Sequence, residues 1–250
     1  MENVGLEVMN AKIDEGVAVD RRLDWRFWVA ESLILLLTLA LIGIRSYRVV
    51  NDESRLHLEG ELSLASVELI QDALKKNKGV FNTLQFEDSP GAGAAATIIL
   101  DKIEALIQQH QLRTEAIGRC ASACAAAFLL GSSRSLLPTT DNAPTYLMIH
   151  AVRHFRTREV NYGKTEQINQ KIASKSLGKF PLKLLNRIFD DQKGTGDGEI
   201  YIFREPQRTP QGMHQVFVCD GRPHRLISEC EALPKVTPQS LGIRVADASP

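Results

Sequence analysis

The stretch Gly118 to Gly131, GRCASACAAAFLLG, places Ser122 between Cys120 and Cys124 and follows it with an alanine-rich run. A serine hydroxyl attacks a carbonyl when a base takes its proton and fixed donors receive the charge that develops on the oxygen. His150, the last residue of the apolar run TYLMIH, suits the base, because ligands of open α/β sheets bind at the carboxyl ends of the strands. The turn EDSPGAG suits the donors: the backbone N–H groups of Gly91 and Ala92, with the N–H of Ala123 at the start of the alanine-rich helix, would form an oxyanion hole. Each of these residues also has a purely structural reading. Serine is a preferred helix N-cap, proline and glycine are common turn residues, and a histidine at a strand end can simply bond a backbone carbonyl. The other histidines make poorer bases: His57 and His110 lie in polar surroundings, His154 lies beyond the strand, and His214 and His224 belong to the C-terminal region.

These residues need a scaffold, and the periodicity from about residue 55 to 150 supplies one. RLHLEGEL alternates Leu56, Leu58 and Leu62 with polar residues and reads as a strand ending near Gly60. LASVELIQDALKKN spaces Leu64, Val67, Ile70 and Leu74 as a helix does, with Ser63 as its N-cap. VFNTLQF is a second strand, AAATIILDKIEALIQQHQ a long helix with Ile98, Ile99, Ile103, Leu106 and Ile107 on its apolar side, TEAIG a short third strand, and TYLMIH a fourth, entered past Pro138 and Pro144. Strand and helix in alternation point to an α/β fold with parallel crossovers. Further on, EQINQKIASKSLGKFPLKLLNRIFDD is helical with breaks at Gly178 and Pro181, EIYIF is a strand, and HQVFVCDGRPHRLI reads as a hairpin around Asp220 and Gly221. From Pro234 onward, prolines and the lack of periodicity predict a loose tail over 234–250.

The N-terminus is of another kind. Phe27 to Ile44 is an 18-residue run whose one charge is Glu31, flanked by Arg21, Arg22 and Arg26 on one side and Arg45 and Arg48 on the other. With Trp25 and Trp28 at the interface, it reads as one membrane-spanning helix over 27–44 after a cytoplasmic tail over 1–26. The acidic leader and the lack of a small-residue cleavage site argue against a removed signal peptide. All four cysteines follow the span, which suits an oxidising compartment and therefore a periplasmic C-terminal domain at an inner membrane. Cys219 and Cys230 flank the predicted hairpin and read as a disulfide. Cys120 and Cys124 are either a short disulfide clamping the turn at Ser122 or two buried thiols. A metal site is not expected, since neither pair has C-x-x-C spacing and only His224 lies between the second pair. The 250-residue chain carries 30 basic and 30 acidic residues, the basic ones scattered without interleaved aromatics, which argues against nucleic-acid partners.

The order of the parts is itself informative. A strand and helix opening with GEL, then strand, SPG and a long helix, then strand, CASAC, an alanine-rich helix and LLGSSR, then PTYLMIH, resembles the Clp protease proteolytic subunit and its crotonase-like relatives, some of them membrane-anchored and periplasmic. The resemblance spans roughly residues 56 to 155. It implies a crotonase-like fold of repeated β-β-α units over a domain from 55 to 233, assembly into homo-oligomers, and a serine endopeptidase cleaving unfolded or membrane-proximal polypeptide without a cofactor. It further implies Ser122 as nucleophile, His150 as base, and Gly91, Ala92 and Ala123 as oxyanion donors. The acid of the triad has no unambiguous match; Asp197, ahead of the strand EIYIF, ranks above Glu199, Asp190 and Asp191. Two departures stand out. Ala92 occupies the second glycine position of the family's Ser-Pro-Gly-Gly turn, where φ > 0 would be costly, and AVRHFRTREVNYGK replaces a glycine-rich segment after the histidine. The alternatives are a catalytically silent peptide-binding scaffold on the same fold, and a crotonase-type enzyme acting on an acyl thioester, which would not need the serine and histidine together.

Overall fold

The computed structural model describes residues 51–52, 54–93, 95–141, 143–154, 156–189, 197–221 and 226–247. The expected tail over 1–26 and span over 27–44 lie outside these residues. No helix among the described residues is long and apolar enough to cross a membrane.

The chain forms a mixed α/β structure around one sheet. After the short strand β1 (Asn51–Asp52) come β2 (Arg55–Glu59), α1 (Leu64–Lys76), β3 (Thr83–Ser89), α2 (Ala96–His110), β4 (Arg113–Ala121), α3 (Ala123–Leu129), β5 (Arg134–Leu136) and β6 (Tyr146–His150). Then follow α4 (Tyr162–Lys175), α5 (Leu182–Leu185) with a 3₁₀ turn, β7 (Glu199–Thr209), β8 (Gly212–Cys219), β9 (Glu231–Ala232) and β10 (Arg244–Val245). The strand order is β1-β2-β3-β4-β6-β7-β8-β9, with β2, β3, β4 and β6 parallel and β6 to β9 antiparallel.

The predicted periodicities account for the parallel half. On β2, Leu56 and Leu58 face the core, in register with Leu84 and Phe86 of β3, and all four are at most 4% exposed. Helix α1 buries Val67, Ile70 and Leu74, and α2 buries Ile99, Ile103, Leu106 and Ile107, so each lays one apolar stripe on the sheet, while Leu64 and Ile98, expected on those stripes, lie in the first turns and stay exposed. Ser63 caps α1 as expected: its hydroxyl accepts from the Ser66 N–H at 3.2 Å, and the Ser66 hydroxyl accepts from the Ser63 N–H at 2.8 Å.

Strand β4 runs well past the expected TEAIG. Gly118, at φ 65°, breaks its regularity, yet side chains replace the missing ladder bonds. The Gly118 N–H donates to the Thr145 hydroxyl at 3.0 Å, and the Arg119 N–H donates to the Asp88 carboxylate at 3.0 Å. One edge of β4 therefore serves two partners: Thr114 to Ala116 pair with β5, and Arg119 to Ala121 pair with β6.

The C-terminal part departs from expectation in two places. Strand β8 does turn back at the far end, but its hairpin partner is β7, through Thr209 and Gly212; beyond Gly221, Ile227–Glu229 is a 3₁₀ turn and β9 pairs with β8 at Phe217 and Val218. Asp220-Gly221 is thus no tight hairpin turn, because the strand that pairs with β8 on this side starts only at Glu231. The tail is not loose either. β10 pairs with β5, and Leu241 and Ile243 are 2% and 1% exposed in the main core, where their apolar area outweighs the disordering effect of the prolines.

Cys219 and Cys230 are bridged, with Cα atoms 4.6 Å apart, beside a small second cluster containing Phe203 and Phe217. Replacing both by alanine should lower stability in urea by about 3 kcal/mol under the chain-entropy description of so short a loop, without altering the far-ultraviolet signature of the sheet.

Candidate active site

Strand β4 ends at Ala121 and α3 starts at Ala123, so Ser122 alone makes the turn. Its backbone sits at φ 58° and ψ −123°, a conformation that costs a residue with a Cβ on the order of 1–3 kcal/mol. The neighbourhood compensates. The Ser122 N–H donates to the Met148 carbonyl at 2.8 Å, and its carbonyl accepts from Ala126 at 3.1 Å. Every residue of α3 is buried, and the Thr114 hydroxyl on β4 donates to the Phe128 carbonyl at 2.6 Å, tying the end of the helix to the strand that feeds it. Cys120 and Cys124, one on each side of Ser122, are disulfide-bonded with Cα atoms 5.3 Å apart. The pairing that the sequence left open is therefore made, and it spans the turn.

Ser122 holds the N-cap position, but its side chain makes no capping hydrogen bond. With φ positive, the hydroxyl is carried away from the N–H groups that a capping serine in extended conformation would reach. The half-buried side chain faces a cavity instead.

The SPG turn packs directly against this residue. Gly91 has φ 101°, and a Cβ there would lie 2.6 Å from the Ala121 carbonyl oxygen and 2.8 Å from the Ser122 Cβ, so only glycine fits. Its own N–H donates to the Ser89 hydroxyl at 3.3 Å and its carbonyl accepts from Leu62 at 2.7 Å. Gly91 is thus a spacer between turn and serine, and its N–H is directed away from the oxyanion role expected of it. Ala92 and Ala123 both line the cavity, and among the described residues no acceptor takes either N–H. Ala92 keeps a negative φ, so the missing second glycine costs nothing here.

His150 ends β6 and lines the same cavity. Its Nδ1 lies 2.7 Å from the Ala151 carbonyl oxygen. A carbonyl only accepts, so the neutral ring carries its proton on Nδ1 and leaves Nε2 as an acceptor. Burial is the main influence on the ring and lowers its pKa; the Ala151 bond and the Glu199 carboxylate oppose this, while Arg153 and Arg158 reinforce it.

Asp197 does not occupy the acid's place. It is ion-paired with Arg153, and among the described residues no carboxylate hydrogen-bonds the His150 ring. Glu199 is the carboxylate that bears on His150, because antiparallel pairing sets these two residues directly across from each other. Its Oε2 accepts from the Tyr201 hydroxyl at 3.0 Å; burial above all, with the charge of Glu199 second, pushes the Tyr201 pKa up. The sequence held the signal: if TYLMIH and EIYIF are antiparallel neighbours, the last residue of one faces the first of the other. Asp190 and Asp191 lie outside the described residues.

The cavity has a volume of about 290 Å³. Leu100, Ala126, Ile168 and Ile172, from α2, α3 and α4, make one wall apolar, while Arg153, His154 and Arg158 line another part. Among the described residues there is no cluster of side chains suited to a metal ion. The arrangement brings together a strained serine, an imidazole with a free lone pair, and two backbone donors.

No protein-family model matches the chain, and no curated protein sequence does. Among solved structures, a variant of ClpP1 from Listeria monocytogenes is 21% identical, with a TM-score of 0.40 over 60% of this chain and 82% of that one. A variant of the 1510-N membrane-bound stomatin-specific protease is 14% identical, with a TM-score of 0.39 over 55% of this chain and 70% of the other.

The strain at Ser122 and the contact at Gly91 lead to opposite expectations for two small changes. Ser122→Gly should be more stable than Ser122→Ala by about 1 kcal/mol in chemical denaturation, since glycine tolerates the positive φ. Gly91→Ala should lose about 1–3 kcal/mol from strain and overpacking.

Proposed function

We propose that the chain is a serine endopeptidase of Clp protease-like, crotonase-like type, acting on unfolded or membrane-proximal polypeptide. One observation carries the reading. Ser122 is held in a strained turn, makes no capping bond, and opens into the cavity lined by His150. Strain of this kind persists where surrounding structure enforces it, and it clusters at sites of chemistry.

The chemistry follows from the groups present. The Ser122 Oγ adds to a peptide carbonyl carbon as its proton passes to His150 Nε2. The carbonyl π bond opens to an oxyanion facing the Ala92 and Ala123 N–H groups. Collapse re-forms the carbonyl, breaks the C–N bond and sends the His150 proton to the departing amine. Water then attacks the acyl-serine by the same route, giving the carboxylic acid and free serine. The Ala151 carbonyl fixes the imidazole tautomer, the task usually given to a carboxylate, and Glu199 stabilises the imidazolium from across the sheet. The third role therefore falls to these two groups, not to Asp197.

On this reading the domain lies on the periplasmic side of a membrane, anchored by the 27–44 segment, and self-associates. The two disulfides support an oxidising compartment. The catalytically silent peptide-binding scaffold is the second reading, favoured by the engagement of Asp197 with Arg153.

A fluorophosphonate probe tests the proposal. Wild-type protein should label and cleave an unfolded substrate, His150→Ala should label far more slowly, and Ser122→Ala should not label at all. Because no capping bond exists to lose, Ser122→Ala should stay within about 0.5 kcal/mol of wild-type stability. Folded wild-type protein that neither labels nor cleaves would favour the scaffold. The base works when neutral, and burial lowers its pKa, so kcat/KM should fall on acidification with a midpoint below the ordinary imidazole value.

A further inference from the structure

The segment after His150 is built as a tight loop, fixed by its backbone. The His154 N–H donates to the Glu159 carbonyl at 2.8 Å, the Arg158 N–H to the His154 carbonyl at 2.9 Å, and the Asn161 N–H to the Val152 carbonyl at 2.7 Å. Arg153 adds a side-chain bond, donating to the Arg158 carbonyl at 2.9 Å. Arg158 itself sits at φ 62°, a left-handed conformation in which a long side chain is uncommon. The Arg158 backbone is thus fixed, and the residue lines the cavity that holds Ser122 and His150.

The carboxylates nearby are occupied. Asp197 pairs with Arg153, Glu199 accepts from the Tyr201 hydroxyl at 3.0 Å, Asp101 pairs with Lys164 at 2.8 Å, Glu61 accepts from the Gly93 N–H at 2.8 Å, and Glu159 accepts from the Thr157 hydroxyl at 3.1 Å. Among the described residues none pairs with the Arg158 side chain, which is exposed. An arginine on a cavity wall, near the reacting groups and without a carboxylate, is a receptor for one: its planar fork matches a carboxylate in two parallel hydrogen bonds.

Resting on the proposed hydrolase site, we infer that Arg158 is a specificity-determining residue that recognises a substrate carboxylate close to the scissile bond. The substrate is then a polypeptide that sets an acidic group beside a residue accepted by the apolar wall of Leu100, Ile168 and Ile172. The carboxylate comes from an acidic side chain or from a free chain end; the two share one chemistry and are separated by experiment.

Binding to full-length Ser122→Ala protein in detergent tests this without requiring turnover. The probes are fluorescein-labelled peptides of alanine and leucine carrying one Glu, Gln or Lys at each position in turn, with an amidated or a free C-terminus. At one position Glu should bind at least tenfold more tightly than Gln; a side-chain source requires this in amidated peptides, whereas a chain-end source shows it only as free acid over amide. Arg158→Gln should abolish the discrimination, and Arg158→Glu should turn the preference toward Lys. Arg156→Gln, changing an exposed arginine of the same loop, should retain it, and melting temperatures verify that each variant is folded. Equal binding of the acidic, neutral and free-acid peptides, or a preference surviving in Arg158→Gln, overturns the inference. Failure of the hydrolase reading would show separately, as absent labelling of Ser122 in the wild type.

Discussion

Ser122 must turn the chain from strand to helix within one residue, and much of the surrounding structure follows from the cost of that turn. A residue with a Cβ does not adopt φ 58° and ψ −123° unassisted. Fixing it needs an acceptor for its N–H, found at Met148 on the neighbouring strand, and a helix that begins at once, found in the alanine run. The small side chains of Ala123 to Ala127 let the start of α3 pack closely between the sheet and the helices around it, where every residue of the helix is buried. The disulfide between Cys120 and Cys124 closes the turn covalently, and Gly91 fills the space beside it with no side chain at all.

His150 is governed by a milder constraint. It stands at the end of β6, where the parallel half of the sheet gives way to the antiparallel half, and it receives influences from both. Its own chain supplies the carbonyl that sets its tautomer, β7 supplies Glu199, and the following loop supplies two arginines. Burial and the two arginines lower its pKa against the opposing pull of the Ala151 carbonyl and Glu199, which favours the neutral ring.

Much of this was legible in the sequence, and the limits have physical causes. The alternation of Leu56 and Leu58 and the helical spacing of Val67, Ile70 and Leu74 are local signals, and they gave the parallel half correctly. Ser122 and His150 stood out by type and setting, and both line one cavity. Asp197 and Gly91 have hydrogen-bond partners other than those expected: whether Asp197 meets His150 or Arg153 depends on chain segments far apart, and whether the Gly91 N–H faces the cavity or Ser89 depends on how the turn is set. β4 was read too short since Gly118 looks like a terminator until Thr145 and Asp88 are seen to bridge it. The C-terminal tail looked loose because two buried residues, Leu241 and Ile243, have no periodicity to betray them.

The forked edge of β4 has a mechanical meaning. A strand held by one ladder can slide by a residue and exchange its faces. Here Thr114 to Ala116 are keyed to β5 and Arg119 to Ala121 to β6, and at the fork Gly118 and Arg119 are pinned by the side chains of Thr145, just before β6, and Asp88 of β3. Slippage would have to break both ladders and both pins together. The position of Ser122 along its strand is accordingly indexed from two directions, like a bolt seated by two threads, and thermal sliding cannot retract it from the cavity.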